Sequence, residues 1–149
     1  MPTVRKSVIV PHSCDAMFDL VDAVESYPEF LPWCSASEVL ERTAEVTVAR
    51  IDIGYHGLSS SFTTRNFKDR PGKMTLELVD GPFEHFNGLW RFKSLGGEEG
   101  CRAELALDYA FSNAALEALL GPVFSHVAET LVEGFVERAE APAKRGKKR

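Results

Sequence analysis

Residues 101–110 read CRAELALDYA, and that alternation decides the fold. Cys101, Ala103, Leu105, Leu107 and Tyr109 fall on one face and Arg102, Glu104 and Asp108 on the other, because successive strand side chains point to opposite sides. One dry and one wet face is the pattern of an antiparallel sheet covered on a single side. Working back toward the N-terminus, period two predicts strands over residues 37–42, 46–54, 59–68, 73–80 and 85–95, with turn residues at 43–45, 55–58, 69–72, 81–82 and 96–100. Connections this short join antiparallel neighbours, since a parallel crossover needs about a dozen residues or more. The six strands form a meander. Ala49, Ile51 and Ile53, then Met74, Leu76 and Leu78, then Phe86, Trp90 and Phe92 join its dry face, while Asp52, Arg91 and Lys93 face water.

On the C-terminal side, Ser112 and Asn113 can cap a helix that runs to residue 139. Leu116, Leu120, Val123, Phe124, Val127, Leu131 and Phe135 share one broad face, with Ser125, Glu129, Glu133 and Glu137 opposite, so the helix lies on a surface. Gly121–Pro122 predicts a kink, or a break into a short and a long helix. At the other end, β-branched residues predict a strand over 3–10 that stops at Pro11, and Ser13 or Asp15 caps a helix to residue 24. The aromatic segment YPEFLPWC, residues 27–34, follows, where Pro28 can open a short helix and Pro32 end it. The fold class is α+β: a curved antiparallel sheet around a long C-terminal helix, one domain over 1–142 with a basic disordered tail at 143–149.

Composition sets the outer bounds. The chain has 149 residues, 44% hydrophobic and 26% charged, an ordinary globular balance with no run of about 18 apolar residues. Five of its 17 basic residues crowd into 144–149, so residues 1–143 carry 12 positive against 22 negative charges, a net of −10. Such a body repels phosphate backbones, and nucleic acid would have to meet the tail or a local patch. Cys14, Cys34 and Cys101 are odd in number and widely spaced, signalling neither a disulfide framework nor a zinc site. A cytoplasmic location fits this usage, and Val8 to Val10 is too short for the core of a secretory signal.

Val21, Tyr27, Pro28, Phe30, Leu31, Pro32, Trp33 and Cys34, followed by Gly81–Pro82–Phe83, Leu89–Trp90–Phe92 and the closing Phe135 to Arg138–Ala139, resemble the START-like, Bet v1-type helix-grip superfamily. Within it the chain is similar to the coenzyme Q-binding and polyketide cyclase-like branch over nearly all of residues 1–140. Bacterial members of that branch are labelled ribosome association toxin (RatA) or lipid transport proteins, and eukaryotic members are coenzyme Q-binding chaperones. The resemblance implies a cavity between sheet and helix for a hydrophobic ligand such as ubiquinone or a related polyprenyl lipid. Periodicity supplies walls for it in Phe62, Leu76, Phe83, Phe86, Trp90, Phe92, Phe111, Val127, Leu131 and Phe135, but predicts facing and not spacing. Phe30, Leu31 and Trp33 would form its mouth, or a plug for the end of the core. Tyr55, His56, Asn66 or Tyr109 could serve a polar head group.

Catalysis finds little support in the residues. His12, His56, His85 and His126 are scattered over different elements, and no nucleophile motif, phosphate loop or metal pair stands out; His126 and Glu129, one turn apart, read as a solvated pair. Cys34 reads as a buried structural thiol. The expectation is therefore a non-catalytic lipid binder or carrier supporting respiration, without a resident cofactor, cytoplasmic or peripheral to the inner membrane through transient contact. The alternative, implied by the RatA label, is binding of the large ribosomal subunit to block subunit association, through the tail or through Arg65, Lys68, Arg70 and Lys73 around one hairpin turn. A cyclase-type enzyme is the lesser alternative, and the oligomeric state stays open.

Overall fold

The computed structural model describes residues 3–95 and 100–147, with side chains described to residue 140. In chain order it contains β1 (Thr3–Val10), α1 (Cys14–Asp22), a 3₁₀ helix (Val24–Glu29), β2 (Cys34–Arg42), β3 (Val46–Tyr55), β4 (Leu58–Asp69), β5 (Lys73–Asp80), β6 (Phe83–Ser94), β7 (Cys101–Phe111) and α2 (Ala114–Lys147). The meander is present as expected, each predicted strand falling within a few residues of its observed bounds. The strand order β1-β7-β6-β5-β4-β3-β2 makes one seven-stranded antiparallel sheet, in which β1 returns to pair with β7. The turn expected over 96–100 lies, apart from Gly100, outside the described residues, and so do the side chains of the expected tail at 143–149.

Two turns show why these residues were needed. His56 (φ 51) and Gly57 (φ 82) make the two-residue link between β3 and β4, a hairpin that requires positive φ at both positions. At Gly81 (φ 154) a Cβ would lie 2.7 Å from the Cβ of Phe62, so only glycine lets β5 turn this close to β4.

Helix α1 starts as predicted, with the Ser13 hydroxyl oxygen accepting the Ala16 N–H at 3.0 Å. It ends at Asp22, and the chain tightens into the 3₁₀ helix, where Pro28 sits near the end instead of opening it. The three-residue repeat of that helix carries both Val24 and Tyr27 into the core, which a continued α-turn would not do as directly. Helix α2 runs as one helix through Gly121–Pro122, so the expected separation into a short and a long helix does not occur. Leu120, Val123 and Phe124 are buried on both sides of the proline, so both segments are anchored in the core. By length and composition residues 114–140 could cross a membrane, yet Val127, Ala128, Val132 and Phe135 are buried against the sheet.

Tertiary pairing also corrects the cysteine reading. Val10 lies opposite Cys101 in the β1–β7 ladder and α1 begins four residues later, which brings Cys14 and Cys101 to a Cα separation of 5.2 Å across 87 residues of sequence, and they are disulfide-bonded. Nothing in the spacing announces this. Cys34 is free and buried, as expected.

Candidate functional site

The dry face of the sheet, α1, the 3₁₀ helix and α2 enclose an apolar cavity of about 60 Å³. Its walls follow from the period-two rule. Ala49 and Ile51 come from β3, Phe62, Thr64 and Asn66 from β4, Met74 and Leu76 from β5, Phe86 and Trp90 from β6, and Leu105 and Leu107 from β7. Helix α2 closes it with Phe124, Val127, Leu131 and Phe135, while Val21, Val24, Tyr27 and Trp33 form the end nearest α1. A water needs about 10–15 Å³ on such a measure, so the space holds a few waters and a larger guest must part the walls. Ile51, Leu76 and Leu131 are the half-buried apolar residues of this wall.

The expected wall residues divide into two groups. Trp33, Phe62, Leu76, Phe86, Trp90, Val127, Leu131 and Phe135 line the cavity. Phe30, Leu31, Phe83, Phe92 and Phe111 do not. Phe83 stacks on Phe111 at 4.9 Å and meets Phe124 edge-on at 5.2 Å, filling the far end of the core. Phe92 stacks on Trp90 at 5.7 Å and touches Phe18. Leu31 is buried against Gly134 of α2, whose missing Cβ leaves room for it. Phe30 packs on Phe135 at 5.5 Å under the Arg138 guanidinium, 5.0 Å from its ring centre, and Arg138 also pairs with Glu29 at 2.6 Å. The aromatic segment therefore fastens α2 around residues 134–138 as well as contributing Trp33 to the wall.

Polar groups on the wall are few. The Tyr27 hydroxyl donates to the Val21 carbonyl, and burial raises its pKa well above the ordinary phenol value. The Thr64 hydroxyl donates to the Asn66 carboxamide oxygen at 2.8 Å, both residues being buried. The Trp33 Nε1 is buried with no acceptor among the described residues. Of the four residues considered for a head group, only Asn66 reaches the cavity. Tyr55 stacks on His126 at 4.5 Å with His56 beside it, and Tyr109 packs on Phe124 at 4.6 Å. Sequence reasoning passed over Ala49, Ile51, Met74, Leu105, Leu107 and Phe124 as wall residues although their alternation or helical spacing marks them as inward, because facing alone does not separate a cavity wall from packed core.

Elsewhere, the hairpin proposed for an anionic partner is largely spent inside the molecule. Lys68 is bound to Asp22 at 3.1 Å, and Asp22 also accepts the Thr47 hydroxyl at 2.9 Å. Arg70 pairs with Asp19 at 2.7 Å and Asp15 at 3.4 Å, holding the Asp19 carboxyl below its ordinary range. Arg65 and Lys73 are exposed with no ion pair among the described residues. No group of three metal-capable side chains occurs among the described residues.

Residues 10–136 match the family described as polyketide cyclase / dehydrase and lipid transport. The ribosome association toxin RatA of Pseudomonas aeruginosa is 40% identical over 137 residues, spanning 92% of this chain and 94% of that protein. The mitochondrial coenzyme Q-binding protein COQ10 homolog B of Xenopus laevis is 25% identical over 137 residues, spanning 90% of this chain and 56% of that one. A START superfamily protein from Mycobacterium smegmatis superposes with a TM-score of 0.77 at 20% identity, covering 93% and 97% of the two chains. With its curved seven-stranded antiparallel sheet and long C-terminal helix in the START helix-grip arrangement, the chain belongs to the polyketide cyclase / dehydrase and lipid transport family.

Proposed function

We propose that this protein is a non-catalytic binder or carrier of a hydrophobic molecule, of the quinone or polyprenyl lipid class, held between the sheet and α2. The observation that carries the reading is the apolar cavity beneath α2, walled by Trp33, Phe62, Phe86, Trp90, Phe124 and Phe135 and free of charged side chains among the described residues. Burying a methylene is worth about 0.8 kcal/mol, so one five-carbon isoprenoid unit contributes roughly 3–4 kcal/mol toward opening the walls and ordering the guest. The similarity to a protein named for coenzyme Q binding supports this class of guest, and a cytoplasmic carrier making transient contact with the inner membrane is its natural setting. The test is organic extraction of natively purified protein, followed by mass spectrometry. A stoichiometric quinone or polyprenyl lipid is the expected result. An empty extract, repeated after incubation with ubiquinone-loaded vesicles, overturns the reading.

The relatives named RatA favour a second reading, association with the large ribosomal subunit. It predicts salt-sensitive co-sedimentation with that subunit that weakens when Arg65 and Lys73 are neutralised together with the C-terminal basic residues. No co-sedimentation at low salt removes it.

A further inference from the structure

We propose that the guest of this cavity is an uncharged molecule bearing a carbonyl-type acceptor oxygen, and that the Trp33 indole N–H is the donor that orients it. The inference rests on the cavity-binding reading above and narrows its ligand.

Trp33 is 4% exposed and stands on the cavity wall, and its Nε1 has no hydrogen-bond acceptor among the described residues. A buried indole N–H normally finds a partner, because a donor stripped of water and left unpaired is costly. The nearby backbone already makes its own bonds. The Trp33 carbonyl accepts the Gly54 N–H and the Leu31 carbonyl accepts the Cys34 N–H, both at 2.9 Å. The Cys34 thiol donates to the Ala36 carbonyl at 3.4 Å.

The second polar feature of the wall points the same way. Asn66 lines the cavity with its oxygen accepting the Thr64 hydroxyl, which leaves its NH₂ as the group free to donate, and the Tyr27 hydroxyl is turned to the Val21 carbonyl. Trp33 and Asn66 therefore bring N–H groups to the wall, the partners an acceptor oxygen on a guest requires. With no charged side chain on the wall among the described residues, nothing compensates an ionised guest. A quinone or ketone oxygen satisfies both requirements, since it accepts and is neutral.

The test uses the full chain and two probes of nearly equal shape, tetramethyl-1,4-benzoquinone and 1,2,4,5-tetramethylbenzene, with affinities measured by equilibrium dialysis. The wild type should bind the quinone more tightly. Trp33→Phe, which keeps an aromatic wall and removes the donor, should weaken the quinone by about three- to tenfold and leave the hydrocarbon unchanged. In the wild type, the Trp33 Nε1–H proton signal should move downfield with the quinone and not with the hydrocarbon, a readout that needs no variant to fold. Equal binding of the two probes by the wild type, equal weakening of both in Trp33→Phe, or an indole proton indifferent to the quinone overturns the donor assignment while the cavity reading stands. Failure of the wild type to bind either probe overturns both.

Discussion

Replacing Phe135 by Ala is expected to destabilise the fold by about 3–5 kcal/mol, the range for truncating a buried phenylalanine. The side chain is 1% exposed, and its ring meets Tyr27, Phe30 and Trp90 edge-on at centroid distances of 5.2, 5.5 and 5.6 Å. An aromatic ring buries about 150–250 Å², which at about 25 cal/mol per Å² is roughly 4–6 kcal/mol, of which the remaining methyl keeps a part. The three ring pairs share one ring, so their specific terms do not add. Leu131, half-buried on the same helix, can lean into the gap and brings the cost toward the lower end. The assay is urea unfolding followed by far-UV circular dichroism, with the slope checked for constancy. Because Phe135 is also a cavity wall, the variant should recover part of the loss when an aromatic hydrocarbon is added, through binding to the folded state alone. A loss below about 1.5 kcal/mol at unchanged slope would mean that α2 does not rest on the aromatic segment and β6, and would refute the packing from which the cavity is built.

Three further outcomes are expected. Lys68→Met should cost about 2–3 kcal/mol, less than for a fully enclosed pair because Asp22 is partly solvated and keeps the Thr47 hydroxyl; denaturation at pH 7 measures it, and an indifferent variant would deny the ion pair. Hydrogen bonds from Arg70 and Arg42 hold the Asp19 and Glu25 carboxyls below their ordinary values of 3.8 and 4.5, so the unfolded chain takes up these protons first. Their contribution is therefore complete above those values and is lost as pH falls through the lower folded ones; the urea midpoint should decline on that acid limb, and Arg70→Ala should flatten it. Burial pushes the Cys34 thiol up to about 11, so iodoacetamide at pH 8 should label it slowly in the native protein and quickly in urea, and rapid native labelling would place the thiol at the surface.

The strands were legible because alternation is a property of neighbours along the chain. CRAELALDYA carries its inward face in its own spelling, and β7 buries Cys101, Ala103, Leu105, Leu107 and Tyr109 as read. The helix break offered at Gly121–Pro122 failed for the opposite reason: the local preference of a proline was outweighed by Leu120, Val123 and Phe124, which are buried on either side of it. Phe83 and Trp90 are both aromatics that the sequence offers as candidate cavity walls. One packs in an aromatic cluster and the other lines the cavity beneath α2, a difference no local pattern carries.

From sequence alone came the α+β class, the meander, the Ser13 cap and the amphipathic closing helix, since each depends on periodicity or on chemistry within a few residues. Only the tertiary structure decided that β1 pairs with β7, that Cys14 meets Cys101 across 87 residues, that Lys68 and Arg70 are consumed by the acids of α1, and that Trp33, at an apolar cavity, has a donor without an acceptor among the described residues. Those are relations between segments remote in the chain. Their distances are set by how side-chain volumes fit when the sheet curves around α2, and no pattern written along one strand or one helix contains that fit.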